Sequence, residues 1–239
     1  MYFYCFNWLI VSNNLEGGKM YNLLELLETI DEYIYYLEKK HFKLDSNGFS
    51  LFTSEMFLEE EPELIIPFLH RNDKRVLNKK KAVLCTFSSD KEIYPRLKKI
   101  FKEIDIYKEY MGVVSTDVTV TKDMDKEWQE LIILVNQLYA AILAVNGVKI
   151  VLNTRVGSNE NLYLFKNYPK NILCISSFLG CKNSSEYDYS YLEKILYFLP
   201  SKLLIYGKED LEVNRMLNTM GIDYKYYVDF HRLCKKGVI

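Results

Sequence analysis

Apolar and polar positions alternate differently on either side of residue 82. Ahead of it, Leu23, Leu26, Leu27, Ile30, Ile34 and Leu37 recur at spacings of three and four. That period predicts an amphipathic helix over 21–40 with acidic residues on its outer face. Residues 45–81 keep no period: they carry Asn47-Gly48, the run Glu59-Glu60-Glu61, two prolines and the run Lys79-Lys80-Lys81. This stretch reads as connecting structure with short elements, and solvated faces account for both charge runs. From Ala82 onward, short apolar runs alternate with helical patterns. Strands are expected at 82–87, 112–115, 149–153, 171–177, 202–206 and 223–228. Between them fall a helix carrying Leu97, Ile100, Phe101 and Ile104, a long helix over 125–145, a short crossover over 159–168, and helices over 190–199 and 210–220. The long helix is apolar nearly all round and is expected at the centre of the core, with Gly147 at its stop. Asn136 and Gln137 interrupt it and disfavour a membrane span.

Strands joined by helical crossovers imply a mainly parallel sheet. The expected class is α/β, a partial (β/α) barrel or an open doubly wound sheet, with a helical segment in front. Three parts are expected: 1–19 outside the fold, 20–81 helical and irregular, and 82–239 the α/β domain. The first part rests on Glu16-Gly17-Gly18-Lys19-Met20. That stretch can be encoded by a purine-rich ribosome-binding string just before a start codon, so translation is expected to begin at Met20. A real N-terminal strand or hydrophobic arm is the alternative.

Composition narrows the functional classes. The chain has 239 residues, 31 Lys+Arg against 32 Asp+Glu, and a net charge of -1. With 49% apolar residues it has ample material for a core. The charge balance does not indicate a protein that binds by neutralising phosphates, although a local nucleic-acid contact stays open. The apolar N-terminus lacks a basic leader region and is shorter than a membrane span, so no membrane partner is expected. Five cysteines without a C-x-x-C pair fit a reducing, cytoplasmic setting. Cys181 reads as a buried thiol rather than a nucleophile. His41, His70 and His231 are not at zinc-ligand spacing. The glycine-rich phosphate loops, the G-x-S-x-G elbow and the H-E-x-x-H motif are absent. Their absence disfavours the common nucleotide-binding, α/β-hydrolase and zincin readings without excluding unusual versions, and the cofactor is left unknown.

In parallel α/β proteins, ligands bind at the carboxyl ends of the strands. Those ends read Thr86-Phe87-Ser88-Ser89-Asp90, Ser115-Thr116-Asp117, Asn153-Thr154-Arg155, Ser176-Ser177 and Tyr206-Gly207-Lys208. Asp117 suits a general base, a metal ligand or a helix cap. Arg155 offers a planar fork of donors for a carboxylate or phosphate; a salt bridge to Asp117 tying two loops together is the structural alternative. Asn153 could orient substrate or satisfy loop backbone. Asp117, Asn153 and Arg155 are the catalytic candidates. Asp123, Ser176, Tyr206 and Lys208 are candidates for substrate contact, although Asp123 also suits the start of the long helix.

Several of these stretches carry a resemblance. Gly112-Val113-Val114-Ser115-Thr116-Asp117 with Lys122-Asp123-Met124, then Gly147-Val148-Lys149-Ile150-Val151-Leu152-Asn153-Thr154-Arg155-Val156-Gly157, Gly180-Cys181-Lys182-Asn183 and Ile205-Tyr206-Gly207 resemble an uncharacterised domain family of firmicute phages and plasmids. The chain departs from it at Thr116 and Leu152, where the family has proline, at Val156, where it has tryptophan, and at Phe178-Leu179, where it has Thr-His. The resemblance implies a mobile-element origin and a fold, but no reaction. The family's recurrent Asp, Asn and Arg fall on Asp117, Asn153 and Arg155.

Two functions follow as expectations. One is an enzyme with a polar cleft at the strand ends. Arg155 would clamp an anion, Asp117 would act as base or metal ligand, and Asn153 would orient the substrate. The other is a non-catalytic accessory protein that binds a host protein or nucleic acid through some of its 20 tyrosines, with Tyr35-Tyr36 and Tyr224, Tyr226 and Tyr227 as candidates.

Overall fold

The computed structural model describes residues 22–177, 190–235 and 237. The expected start at Met20, the residues before it and the Gly180-Cys181 loop lie outside the described residues. Seven strands follow one another around a single sheet in chain order, every neighbouring pair parallel. They are β1 (Leu64–Pro67), β2 (Ala82–Cys85), β3 (Gly112–Val114), β4 (Ile150–Asn153), β5 (Leu173–Ser177), β6 (Lys202–Tyr206) and β7 (Tyr224–Tyr227). The helices are α1 (Leu23–Lys39), α2 (Asp90–Leu97), α3 (Ile100–Tyr107), α4 (Lys126–Val145), α5 (Ser190–Phe198), α6 (Leu211–Thr219) and α7 (Phe230–Lys235).

Side-chain alternation along the strands explains why the sheet curls into a nearly closed barrel. Ile65, Val83, Cys85, Val114, Val151, Leu173, Ile175, Leu204, Tyr206 and Tyr227 form one buried cluster drawn from all seven strands. Their alternate neighbours, Ile66, Leu84, Val113, Ile150, Leu152, Cys174, Leu203 and Ile205, belong to a second cluster shared with the helices. One cluster fills the lumen and the other packs the barrel wall against the helical layer. Two buried faces require unbroken apolar runs, which is the pattern found from Ala82 onward.

The ladder ends at β1 and β7, and side chains bridge that seam. The Tyr227 hydroxyl donates to the Pro62 carbonyl at 2.7 Å, and Glu61 accepts from Lys202 and Lys225. The first strand is a departure from expectation, because β1 lies in the stretch read as connecting structure. Its four residues end on Pro67 amid charge runs, too short for a period to emerge.

The predicted helix around Leu97 is in fact two. Pro95 sits inside α2, which stops at Leu97, and α3 begins at Ile100. The first helix forms as expected, opened by a capping box in which Asn22 and Glu25 serve each other's backbone N–H. It packs on α4 and shares the outer core with it. Among the described residues α4 alone is long and apolar enough to cross a membrane, but most of it is buried in that core. Gly147 closes it at φ +83°, a backbone geometry that suits glycine, while the Val148 N–H donates to the Leu143 carbonyl. Cys85, Cys174 and Cys234 are free thiols.

Candidate functional site

The carboxyl ends of β3 and β4 lie side by side, with Val114 paired to Val151. Beyond the apolar ladder the pairing continues through polar groups. The Ser115 N–H donates to the Val151 carbonyl at 3.0 Å, and the Asn153 N–H donates to the Ser115 hydroxyl at 3.0 Å. These bonds hold the two chain exits at fixed separation. The Asn153 amide then donates to Asp117 Oδ1 at 2.7 Å, while Asn153 Oδ1 accepts from the Arg155 N–H at 3.2 Å. Arg155 Nη1 lies 3.3 Å from Asp117 Oδ2. The three catalytic candidates are therefore one bonded cluster. The salt bridge posed as the structural alternative for Arg155 is also present.

Burial sets the electrostatics. Asp117 is 4% exposed. Loss of hydration pushes its carboxyl up from 3.8 to about 6, against the opposing pull of the Arg155 charge and the Asn153 hydrogen bond; nearby Asp90 adds to the rise. The Arg155 side chain is 31% exposed, so it spans from the buried carboxylate to solvent. Below the rim, burial chiefly raises the Cys85 thiol, and the charges of Asp117 and Asp229 add to it.

The other candidates are placed differently. Ser176 is buried on β5, and among the described residues it does not bond to the cluster. Tyr206, expected to contact substrate, is instead fully buried in the lumen. It stacks on Phe87 at 5.8 Å, and its hydroxyl accepts from the Phe230 N–H at 2.9 Å. Because Tyr206 is the last residue of β6, its inward turn follows from the two-residue alternation that puts Leu204 inside. Asp123 and Lys208 are exposed on turns, and among the described residues neither bonds to the cluster. The tyrosines weighed as partner contacts are partly committed to the fold: Tyr36 donates to Asn146, Tyr227 to Pro62, and Tyr35 is exposed.

A cleft opens beside the cluster, between the β3–β4 rim and α4. Ser115, Thr116, Asn153 and Arg155 form its polar wall. Ile133, Asn136 and Gln137 of α4 face them, with Leu152, Phe165 and Tyr168 completing the lining. It encloses about 290 Å³ free of atoms, part of it open to solvent.

Gln129, unremarked in the sequence, sets the loop that carries Arg155. Its amide donates to the Met124 carbonyl at 2.7 Å, and its Oε1 accepts from the Ser158 N–H at 3.1 Å and from Asn161 Nδ2 at 2.6 Å. Gly157 passes this amide at φ +67°, where a Cβ would stand 2.7 Å from Gln129 Oε1 and from Val120 Cγ2. Among the described residues no three His, Cys, Asp or Glu side chains gather as a metal site.

Fold and site together define a parallel (β/α) barrel-like protein with a buried carboxyl and a partly exposed guanidinium on its carboxyl-terminal rim. No protein-family model, curated protein or solved structure matches this chain.

Proposed function

We propose that the protein is an enzyme acting on a small anionic or polar substrate at the rim of β3 and β4. The observation that carries this reading is the Asp117–Asn153–Arg155 cluster, in which a carboxyl raised to about 6 touches a solvent-reaching guanidinium. Arg155 holds the anionic group through donors directed away from Asp117. Asn153 fixes the carboxyl by donating from Nδ2 to Asp117 Oδ1, and Asp117 transfers a proton near neutral pH, where both of its forms are accessible. An anion on Arg155 competes for the charge that holds Asp117 down. Binding therefore raises the proton affinity of Asp117 and readies it as an acid. The likeness of Gly112–Asp117 and Gly147–Gly157 to a phage and plasmid family supports placing the protein among mobile-element products.

Calorimetric titration with propionate, acetate and phosphate tests the reading. Binding is expected to tighten as pH falls from 8 to 5, with proton uptake visible as a buffer-dependent heat. Arg155→Gln should weaken it at least tenfold. Anions that bind neither form, or both forms alike, would refute it.

A further inference from the structure

The inner end of the cleft has a chemical polarity opposite to that of its mouth. The amide of Asn136 donates from Nδ2 to the Val118 carbonyl at 3.3 Å, and that of Gln137 donates from Nε2 to the Leu164 carbonyl at 3.0 Å. Those two donations fix which way each amide faces. They leave Asn136 Oδ1 and Gln137 Oε1 buried without a hydrogen-bond partner. Gln137 is 1% exposed, and both residues line the cleft that Arg155 and Asn153 line from the other side. A buried acceptor left without a donor costs free energy comparable to a lost hydrogen bond. Two such acceptors, on consecutive residues of one helix that both line the cleft, define a subsite for hydrogen donors.

From this we infer that the substrate is a small hydroxylated anion. Its anionic head would lie on Arg155, and its hydroxyl groups would donate to Gln137 Oε1 and Asn136 Oδ1. This deepens the anion-site reading and depends on it. Hydroxyls are favoured over an ammonium group because both acceptors are neutral and Arg155 shares the cleft, so a second cation would be buried without a counter-charge. The cleft is small: its atom-free space of about 290 Å³ includes open solvent, which limits the ligand to a few carbons. The head group can be a carboxylate or a phosphate, since a guanidinium serves both.

Calorimetry on the full chain with matched ligands decides the matter. One arm compares propionate, lactate and glycerate, which carry none, one and two hydroxyls on the same carbon count. The other compares propyl phosphate with glycerol phosphate, and the arm with the tighter hydroxylated member identifies the head group. Glycerate or glycerol phosphate is expected to bind at least tenfold tighter than its deoxy counterpart, with lactate between. In Asn136→Ala, and in Gln137→Met where it folds, that ratio should fall toward one while the deoxy anion binds as before. Equal affinity within both wild-type arms would overturn the hydroxyl subsite and leave the anion site standing. No binding by any of the five ligands would overturn both.

Discussion

Replacing Asp117 by asparagine removes a charge that the fold must otherwise bury, and the change should make the protein more stable at neutral pH. The carboxyl sits at about 6 in the folded chain against 3.8 ordinarily, so the folded state holds this proton more tightly than the unfolded state does. By linkage, the contribution of this group to stability is fully present below about 3.8 and is lost as pH rises through about 6. At about 1.4 kcal/mol for each tenfold change in proton affinity, the loss amounts to about 3 kcal/mol. Asparagine keeps the shape and an oxygen for the Asn153 amide to donate to, but it never ionises. The shift already contains the opposing pull of Arg155 and Asn153, so no further credit for the ion pair is due. Urea unfolding of both proteins, followed by tryptophan fluorescence between pH 3.5 and 8, reads the difference. Other carboxylates titrate alike in the two proteins and cancel. The variant's advantage should be smallest near pH 3.5 and grow by about 2–3 kcal/mol by pH 8. A difference that stays flat with pH, or wild type gaining on the variant as pH rises, would refute the argument.

Three further substitutions probe how the rim is held. Gly157→Ala should cost at least about 1–2 kcal/mol in urea unfolding, from the positive φ alone; it should also weaken anion binding by displacing Gln129 beneath the Arg155 loop. Gln129→Leu takes the acceptor from the Ser158 N–H and one acceptor from Asn161, for a loss of about 1–3 kcal/mol. Tyr227→Phe leaves the Pro62 carbonyl without its donor across the β7–β1 seam. It should cost about 1 kcal/mol, with amide exchange rising first in β1 and β7.

The barrel was legible where burial on both faces wrote long apolar runs. The stretches at 82–87, 149–153, 171–177 and 202–206 each contain an observed strand, and the helical gaps between them imply the parallel order. Leu64–Pro67 was not legible, because four residues carry no period and their burial is created by β2 and α7. The split between α2 and α3 follows from local backbone geometry that Leu97 and Ile100 conceal by sharing one apolar face. At the site, the strand-end rule locates Asp117, Asn153 and Arg155. It cannot separate inward from outward positions, which is why Tyr206 was placed at the rim when it fills the lumen. The cleft had a visible signal of another meaning. Asn136-Gln137 stood out as amides in an apolar helix, but only the burial of both carbonyl oxygens turns an interruption into a lining.

The ion pair at the rim invites a purely structural account, and its energetics argue against one. A salt bridge kept for stability lowers the pKa of its acid, because the folded state then favours the charged form. Glu61 behaves this way: Lys202 and Lys225 hold its carboxyl below the ordinary range at the barrel's other end. Asp117 does the reverse, although it has both a guanidinium and an amide donor within reach. Burial outweighs both partners, so at neutral pH the charged cluster works against the fold. An apolar residue of similar size would relieve that cost and keep β3 and β4 in register through Val113 and Val114. A residue that opposes folding, next to a cleft with two unpaired buried oxygens, has its explanation in what the cleft receives.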